Sequence, residues 1–141
     1  MDCIFCDIAA GRRDAEIVFS DPYTLAFLDT RPLFPGHTLI IPRQHHQTLA
    51  DLPPELLAPL FTSVQRLERA VEFAFEAAGS FVAVNNRVSQ SVPHLHVHVV
   101  PRRPKDGLKG FFWPRHTYPD GALAEAGARL RDALAQIAAA E

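Results

Sequence analysis

The stretch that decides the fold reads Pro93-His94-Leu95-His96-Val97-His98-Val99-Val100. Side chains of a β-strand point alternately to its two faces, so the three histidines share one face and Leu95, Val97 and Val99 share the other. Core packing accounts for the apolar face, but it does not account for three imidazoles in strict alternation. We therefore predict a strand over residues 94–100 that buries one face and carries a chemical site on the other.

Two kinds of chemistry compete for this row of histidines. A zinc ion binds nitrogen at about 2.0–2.1 Å, whereas the outer two Cα atoms of the row lie about 13 Å apart in an extended chain. Two of the imidazoles could share one metal, but all three would be strained. Alternatively, a neutral imidazole attacks an electrophile and forms a covalent intermediate, while its neighbours donate hydrogen bonds to the developing charge. The spacing favours this second arrangement, with one attacking ring in the middle.

The segments on either side of the row predict short strands and two helices. Short β-prone runs are separated by turn residues, and apolar residues at three- and four-residue spacing mark the helices. The predicted elements are strands over 16–20, 24–29 and 37–42, a long helix from Asp51 to Gly79, strands over 81–86 and 94–100, and a last helix over 121–140. Strands, one helix, more strands and a last helix indicate an α+β fold with a mainly antiparallel sheet.

Length, composition and charge limit the class of protein. A chain of 141 residues with 48% hydrophobic and 21% charged residues is long enough for one core and too short for two catalytic domains. The formal net charge of −2 gives no general affinity for nucleic acid, which needs clustered Lys and Arg. We find no apolar run near the ~20 residues that span a bilayer. With two cysteines and no export signal, we expect a cytoplasmic protein with reduced thiols.

Three segments together resemble the histidine triad (HIT) family of nucleotide hydrolases and transferases, in its bacterial type with an N-terminal Cys-x-x-Cys. They are Gln90 to Val100, the pair Ala26-Phe27-Leu28-Asp29 and Pro35 to Pro42, and Cys3-Ile4-Phe5-Cys6-Asp7-Ile8. The resemblance covers roughly residues 2–103. It implies an α+β fold with a five-stranded antiparallel sheet and two helices, in a homodimer whose sheets join. It also implies a single domain over 1–141, with the motif at 94–100 and a C-terminal loop and helix over 102–141.

The resemblance further implies an enzyme and assigns its site. In the family the middle histidine, here His96, attacks the α-phosphorus of a nucleotide derivative, and water then releases a nucleoside 5′-monophosphate. His98 and His37 correspond to the histidines that hold the phosphate oxygens. The expected substrate, a purine ribonucleotide derivative, would be bound by Asp29 at the ribose, by Phe5, Ile8 and Phe27 at the base, and by Asn86, Gln90 and Ser91 at the phosphate and leaving group. Ser89 stands where the family usually has glycine, and the loop before the motif is shorter than in well-known members.

A structural zinc ion is also implied by the resemblance. Its ligands in this chain would be Cys3, Cys6, His45 and His94, a set that suits a closed tetrahedral site. The chemistry itself would need no cofactor. The leaving group stays open between an amine, as in nucleoside phosphoramidates, and a nucleotide, as in dinucleoside polyphosphates. Two alternatives remain: a zinc-stabilised nucleotide-binding module without turnover, and a metal-dependent hydrolase that uses the histidine row as ligands.

Overall fold

The computed structural model describes residues 2–110 and 113–141. The helices are α1 (Ile4–Ala9), α2 (Leu57–Ala74) and α3 (Ala122–Ala140), and the strands are β1 (Ile17–Ser20), β2 (Thr24–Leu28), β3 (Thr38–Pro42), β4 (Gly79–Ala83) and β5 (Val97–Arg102). The strands form one antiparallel sheet in the order β1-β2-β3-β5-β4. The predicted α+β class and the five-stranded antiparallel sheet are thus confirmed, whereas α1 is a helix beyond the two that were predicted.

These residues fall into two compact units, one up to Asp106 and one from Gly107 onward. The first unit contains the sheet with α1 and α2, and the second contains α3. Helix α3 follows Gly121, whose backbone is left-handed at φ 81°. Among the described helices, none has the length and apolar character needed to cross a bilayer.

The two faces of the sheet carry two separate clusters of buried side chains. On one face, strand residues pack against the stripe of α2 formed by Leu60, Val64, Leu67 and Val71; they include Ala26, Ile40, Val97 and Val99. On the other face, Leu25, Phe27, Leu39 and Ile41 pack against Phe5 and Ile8 of α1. His98 lies opposite Leu39 in the register of β3 and β5. Strand alternation therefore directs His98 to the face that α1 covers.

Strand β5 begins three residues later than predicted. His94 and His96 precede it, because the backbone there bonds to loops: the His94 N–H donates to Val92 O and the Leu95 N–H to His46 O. The strand also continues through Pro101, which pairs with Ser80 on β4. Strand β3 pairs with β5 only as far as Val99. Pro101 lies beyond this pairing, so its lack of an N–H costs no hydrogen bond to β3. The alternation of the histidines survives, since the residues between and after them, Leu95, Val97 and Val99, all join the cluster that packs against α2.

The long helix is shorter than predicted at both ends. Two 3₁₀ turns, Leu49–Asp51 and Pro54–Leu56, precede it, and the α-helix begins only at Leu57. It ends at Ala74, and β4 already begins at Gly79, earlier than the predicted start at residue 81. Leu57, which the spacing places on the apolar stripe, is 40% exposed.

Candidate active site

His96 is held in a tautomer that leaves one ring nitrogen free to react. Its side chain is buried, and its Nδ1 lies 2.8 Å from the carbonyl oxygen of His94. A carbonyl only accepts, so Nδ1 carries the proton and Nε2 keeps a lone pair. Burial lowers the pKa of His96, against the opposing effects of the His94 carbonyl and Asp29. The ring is therefore neutral at physiological pH, as a nitrogen nucleophile has to be.

His98 and His37 form a second pair whose protons are also fixed. The Leu33 N–H donates to His37 Nδ1 at 3.0 Å, so the ring proton of neutral His37 is on Nε2. That Nε2–H donates to His98 Nδ1 at 2.9 Å, which leaves the proton of His98 on its own Nε2. Burial lowers the pKa of His37, and burial with the neighbouring imidazoles lowers the pKa of His98 to about 4. Neutral His98, whose ring centre is 5.0 Å from that of His96, thus keeps an N–H donor.

A cavity of about 350 Å³ lies over the rings of His96 and His98. Among the residues predicted to bind substrate, it is lined by Phe5, Ile8, Phe27, Asp29 and Ser91, together with His96 and His98. Phe5 stands edge-on to His96 and to Phe27, with ring centres 5.0 and 5.3 Å apart. One carboxylate oxygen of Asp29 accepts from the Arg31 N–H at 2.8 Å, and the other lies 3.7 Å from His37 Nε2. An aromatic wall, a carboxylate and an imidazole donor therefore share one space.

Three residues predicted for the site lie elsewhere in the first unit. His37 is buried behind His98 and is not part of the cavity lining. Asn86 accepts from the Leu49 N–H, and the Gln90 amide donates to Gln47 O, so both side chains tie their loop to a neighbouring loop. In the same loop Ser89 has φ 61°, the left-handed conformation that glycine adopts readily.

The cavity also contains polar residues that the sequence analysis missed. Arg13, Asp14 and Thr30 line it beside the predicted residues. Arg13 and Asp14 belong to the connection between α1 and β1, which has no periodicity and no motif of its own. The only sequence signal was their closeness to Phe5 and Ile8 along the chain.

Four other side chains converge in an arrangement that suits a metal ion. One ligand atom each from Cys3, Cys6, His45 and His94 lies within 4.8 Å of the others. His94 Nδ1 is 3.4 Å from Cys3 Sγ and 3.5 Å from Cys6 Sγ, and Cys6 Sγ is 3.3 Å from His45 Nδ1. Tetrahedral zinc with thiolate and imidazole ligands places such atoms about 3.6 Å apart.

The protonation of His94 and Cys6 is consistent with a metal site. His94 Nε2 donates to Pro42 O at 2.9 Å, which leaves the Nδ1 lone pair directed at the two sulfurs. Burial, assisted by Cys3, raises the pKa of the Cys6 thiol to about 11, so a metal would displace a proton there.

The histidine row does not converge on one metal. His94 faces the cysteines, whereas His96 and His98 line the cavity. A second group of possible ligand atoms, from Asp29, His37 and His98, also lies within 4.8 Å. In that group His37 Nε2 carries a proton and donates it to His98, so neither nitrogen of the pair has a lone pair free for a metal. This geometry argues against a metal-dependent hydrolase built on the row.

Comparison with known proteins decides the family. The model of the HIT domain matches residues 10–105. The chain belongs to the HIT family. An uncharacterised HIT-like protein of Mycobacterium tuberculosis is 41% identical, over 99% of this chain and 98% of its own length. The resemblance drawn from the motif segments is thus confirmed.

Solved HIT structures share the fold. A Zn-bound histidine triad family protein from Mycobacterium smegmatis is 40% identical, with a TM-score of 0.73, and the match covers 100% of this chain and 99% of that one. A HIT family protein from Bacillus subtilis is 34% identical, with a TM-score of 0.85 and coverage of 94% and 96%.

Some relatives in the HIT family are nucleotide hydrolases. An asymmetrical bis(5′-nucleosyl)-tetraphosphatase of Schizosaccharomyces pombe is 36% identical over 65% of this chain and 52% of its own length. An adenosine 5′-monophosphoramidase of Candida albicans is 29% identical over 96% and 93%. These names place nucleotide substrates in the family, a dinucleoside tetraphosphate for one relative and an adenosine phosphoramidate for the other.

Proposed function

We propose that this HIT protein is a nucleotide hydrolase that cleaves nucleoside 5′-phosphate derivatives through a covalent nucleotidyl–His96 intermediate. The observation that carries the proposal is the hydrogen bond from His96 Nδ1–H to the His94 carbonyl, 2.8 Å long. It fixes a lone pair on Nε2 of a ring that lines a cavity with an aromatic wall and a carboxylate. Attack on a phosphate ester needs a nucleophile with a free lone pair and a donor for the developing negative charge. Neutral His96 would be the first and neutral His98 the second.

The reaction proceeds in two steps on this geometry. In the first step the Nε2 lone pair of His96 forms a bond to the α-phosphorus, and the bond from phosphorus to the leaving group breaks. The leaving group departs with that electron pair and takes a proton from solvent. In the second step water attacks the same phosphorus and gives up a proton to solvent, the P–N bond breaks with its electron pair returning to Nε2, and the nucleoside 5′-monophosphate leaves with His96 neutral again. The Nε2–H of His98 would donate to a phosphate oxygen in both steps, because His37 holds its proton on that nitrogen.

Substrate binding is assigned to the other cavity residues. Phe5, Ile8 and Phe27 would enclose a purine base, and Asp29 would accept hydrogen bonds from the ribose hydroxyls. Ser91 would contact the phosphate. The side chains of Asn86 and Gln90 form hydrogen bonds with the neighbouring loop. They would contact the leaving group only after their own loop had moved and these bonds had broken. Either a phosphoramidate or a dinucleoside polyphosphate fits the same attack by His96.

A zinc ion is the second part of the proposal. Cys3, Cys6, His45 and His94 would hold it, and it would supply structural rigidity and no chemistry. It would tie α1, which carries Phe5, to the segment that carries His96. We expect one zinc per chain by elemental analysis, lost in His45→Gln and retained in the matched neighbour His46→Gln, whose imidazole lies outside the donor group. Full zinc in both variants would contradict the assignment.

The enzymatic proposal is tested with purified protein and two substrates, adenosine 5′-phosphoramidate and diadenosine tetraphosphate. We expect AMP release from at least one of them, abolished in His96→Asn. The control is His116→Asn, because His116 is exposed and belongs to the second unit. Nucleotide binding without AMP release from either substrate would favour the binding module without turnover.

A further inference from the structure

Two oppositely charged side chains line the substrate cavity and have no role in the proposed reaction. They are Arg13 and Asp14, adjacent in the chain between α1 and β1. The rest of the lining combines apolar residues with Thr30 and the polar groups assigned above to phosphate and ribose. A guanidinium and a carboxylate in the same cavity can therefore bind polar groups of a ligand that the phosphate and ribose contacts leave unused.

The chain path places this pair at the base end of the cavity. Phe5, near the start of α1, touches His96, and Ile8 lies one turn further along the helix. The connection then turns at Gly11, where φ is +77°, and is fastened by the ion pair of Arg12 with Asp7. Ala15, directly after Asp14, packs against the same cluster as Phe5, Ile8 and Phe27. Moving along α1 away from His96 thus leads past the aromatic wall to Arg13 and Asp14.

Neither side chain is already engaged. Within residues 2–110 and 113–141, no hydrogen bond or ion pair joins the Arg13 guanidinium or the Asp14 carboxylate to another group. By contrast, the charged neighbours Asp7 and Arg12 pair with each other. Asp29, the other carboxylate of the cavity, accepts from a backbone N–H. Arg13 and Asp14 therefore keep their full hydrogen-bonding capacity for a ligand.

We propose that Arg13 and Asp14 recognise the edge of the nucleobase and make this site prefer guanine nucleotides. Guanine presents O6 and N7, two acceptors that a guanidinium fork reaches together, whereas adenine presents N7 beside a donor amino group. On its other edge guanine presents N1–H and the 2-amino group, two donors for one carboxylate. Adenine has a lone pair on N1 that a carboxylate repels. Both side chains thus select the same base, and this inference rests on the proposed nucleotide site.

Equilibrium binding separates this inference from the proposed function. Isothermal titration of the intact protein with GMP, AMP and IMP needs no turnover. We expect GMP to bind about tenfold more tightly than AMP, from one good bidentate contact at a solvated edge. IMP keeps O6, N7 and N1–H but lacks the 2-amino group, so its affinity should lie between those of GMP and AMP. GMP and AMP binding with equal affinity would overturn the base preference and leave the hydrolase proposal standing, while no binding of either would overturn both.

Two variants test the residues themselves. Asp14→Asn should lower the GMP-to-AMP affinity ratio several-fold and remove the advantage of GMP over IMP, because the 2-amino group loses its carboxylate. Arg13→Met should lower the affinities for GMP and IMP together. The matched control is Glu16→Gln, which removes one negative charge from the same connection but lies outside the cavity lining. An unchanged ratio in both Arg13→Met and Asp14→Asn would contradict the assignment.

Discussion

At the scale of single residues, the chemistry of this site follows from which nitrogen of each imidazole carries a proton. The His94 carbonyl, the Pro42 carbonyl and the Leu33 N–H fix the tautomers of His96, His94 and His37 in turn. In the proposed function, one motif would therefore provide a metal ligand, a nucleophile and a donor from the same residue type. Backbone groups set these roles, which is why a pattern of residue types alone could not assign them.

The lowered pKa of His98 predicts a pH-dependent stability. The unfolded chain binds a proton at His98 near the ordinary pKa of 6.5, whereas the folded site binds it only near pH 4. Between these values the unfolded state holds more protons. The free energy of unfolding is therefore highest above pH 6.5 and falls as the pH drops toward 4. Since His98 is partly exposed, we expect a loss on the order of 1–2 kcal/mol.

Urea denaturation across this pH range measures the effect. His98→Gln should show a shallower decline than the wild type, and the exposed control His116→Gln should show the wild-type decline. Burial also lowers the pKa of His37 and of His96, so both add to the loss of stability at low pH. The charge of Asp29 raises the pKa of all three histidines and thereby reduces this loss. A decline of equal size in His98→Gln would argue against a neutral, half-buried His98.

Asp29 should distinguish ribose from deoxyribose. Its carboxylate lines the cavity and can accept from two vicinal hydroxyls. We expect GMP to bind about tenfold more tightly than 2′-deoxy-GMP, a typical contribution of a hydrogen bond to a charged group. In Asp29→Asn the ratio should approach one, while the exposed control Asp120→Asn retains it. Equal binding of the two nucleotides by the wild type would remove Asp29 from the ribose site.

At the scale of the elements, sequence patterns predicted most of the sheet. Strands β1, β2 and β3 agree with the predicted runs because short β-prone segments separated by turns have few alternatives. The start of β5 was missed because Leu95 bonds to His46, a contact between distant loops. The grouping of Cys3, Cys6, His45 and His94 came from family resemblance. Arg13 and Asp14 were missed because only the folded path of their connection brings them into the cavity.

The loop before β3 depends on a glycine. Gly36 has φ +98°, and a Cβ placed there would lie 2.5 Å from the ring of Phe75. We expect Gly36→Ala to lower the free energy of unfolding by about 2 kcal/mol, from backbone strain together with the clash. Gly79→Ala is the matched control, since a Cβ at Gly79 meets no atom within 4 Å. Equal stability of the two variants in urea denaturation would contradict this account of the loop.

At the scale of the whole molecule, the first unit leaves a sheet edge open. Within the part of the chain that the structure describes, strand β4 pairs with β5 alone, and its Val82 is 43% exposed. An unpaired edge offers a row of N–H and C=O groups to a second chain. The family resemblance implies a homodimer whose sheets join, and we propose that it forms by pairing of two β4 strands and not at β1, the other edge of the sheet.

Light scattering after size-exclusion chromatography tests the dimer. The wild type should have twice the chain mass of 15.6 kDa at micromolar concentration. Val82→Lys should be monomeric, because a charge on β4 opposes pairing of the edge. Val18→Lys places the same charge on β1, the opposite edge strand, at a residue that is 47% exposed, and should remain dimeric. A wild-type monomer would exclude the joined sheet.

The central claim is that His96 bonds to phosphorus, and intact-mass spectrometry of the protein during turnover measures this most directly. The sample is mixed with a nucleoside phosphoramidate or a dinucleoside polyphosphate and quenched in alkali, since a phosphorus–imidazole bond is labile in acid. We predict a nucleotidyl adduct that peptide mapping assigns to His96 and that His96→Asn lacks. Nucleotide release by an active enzyme with the adduct on another residue, or with undiminished activity in His96→Asn, would contradict the account.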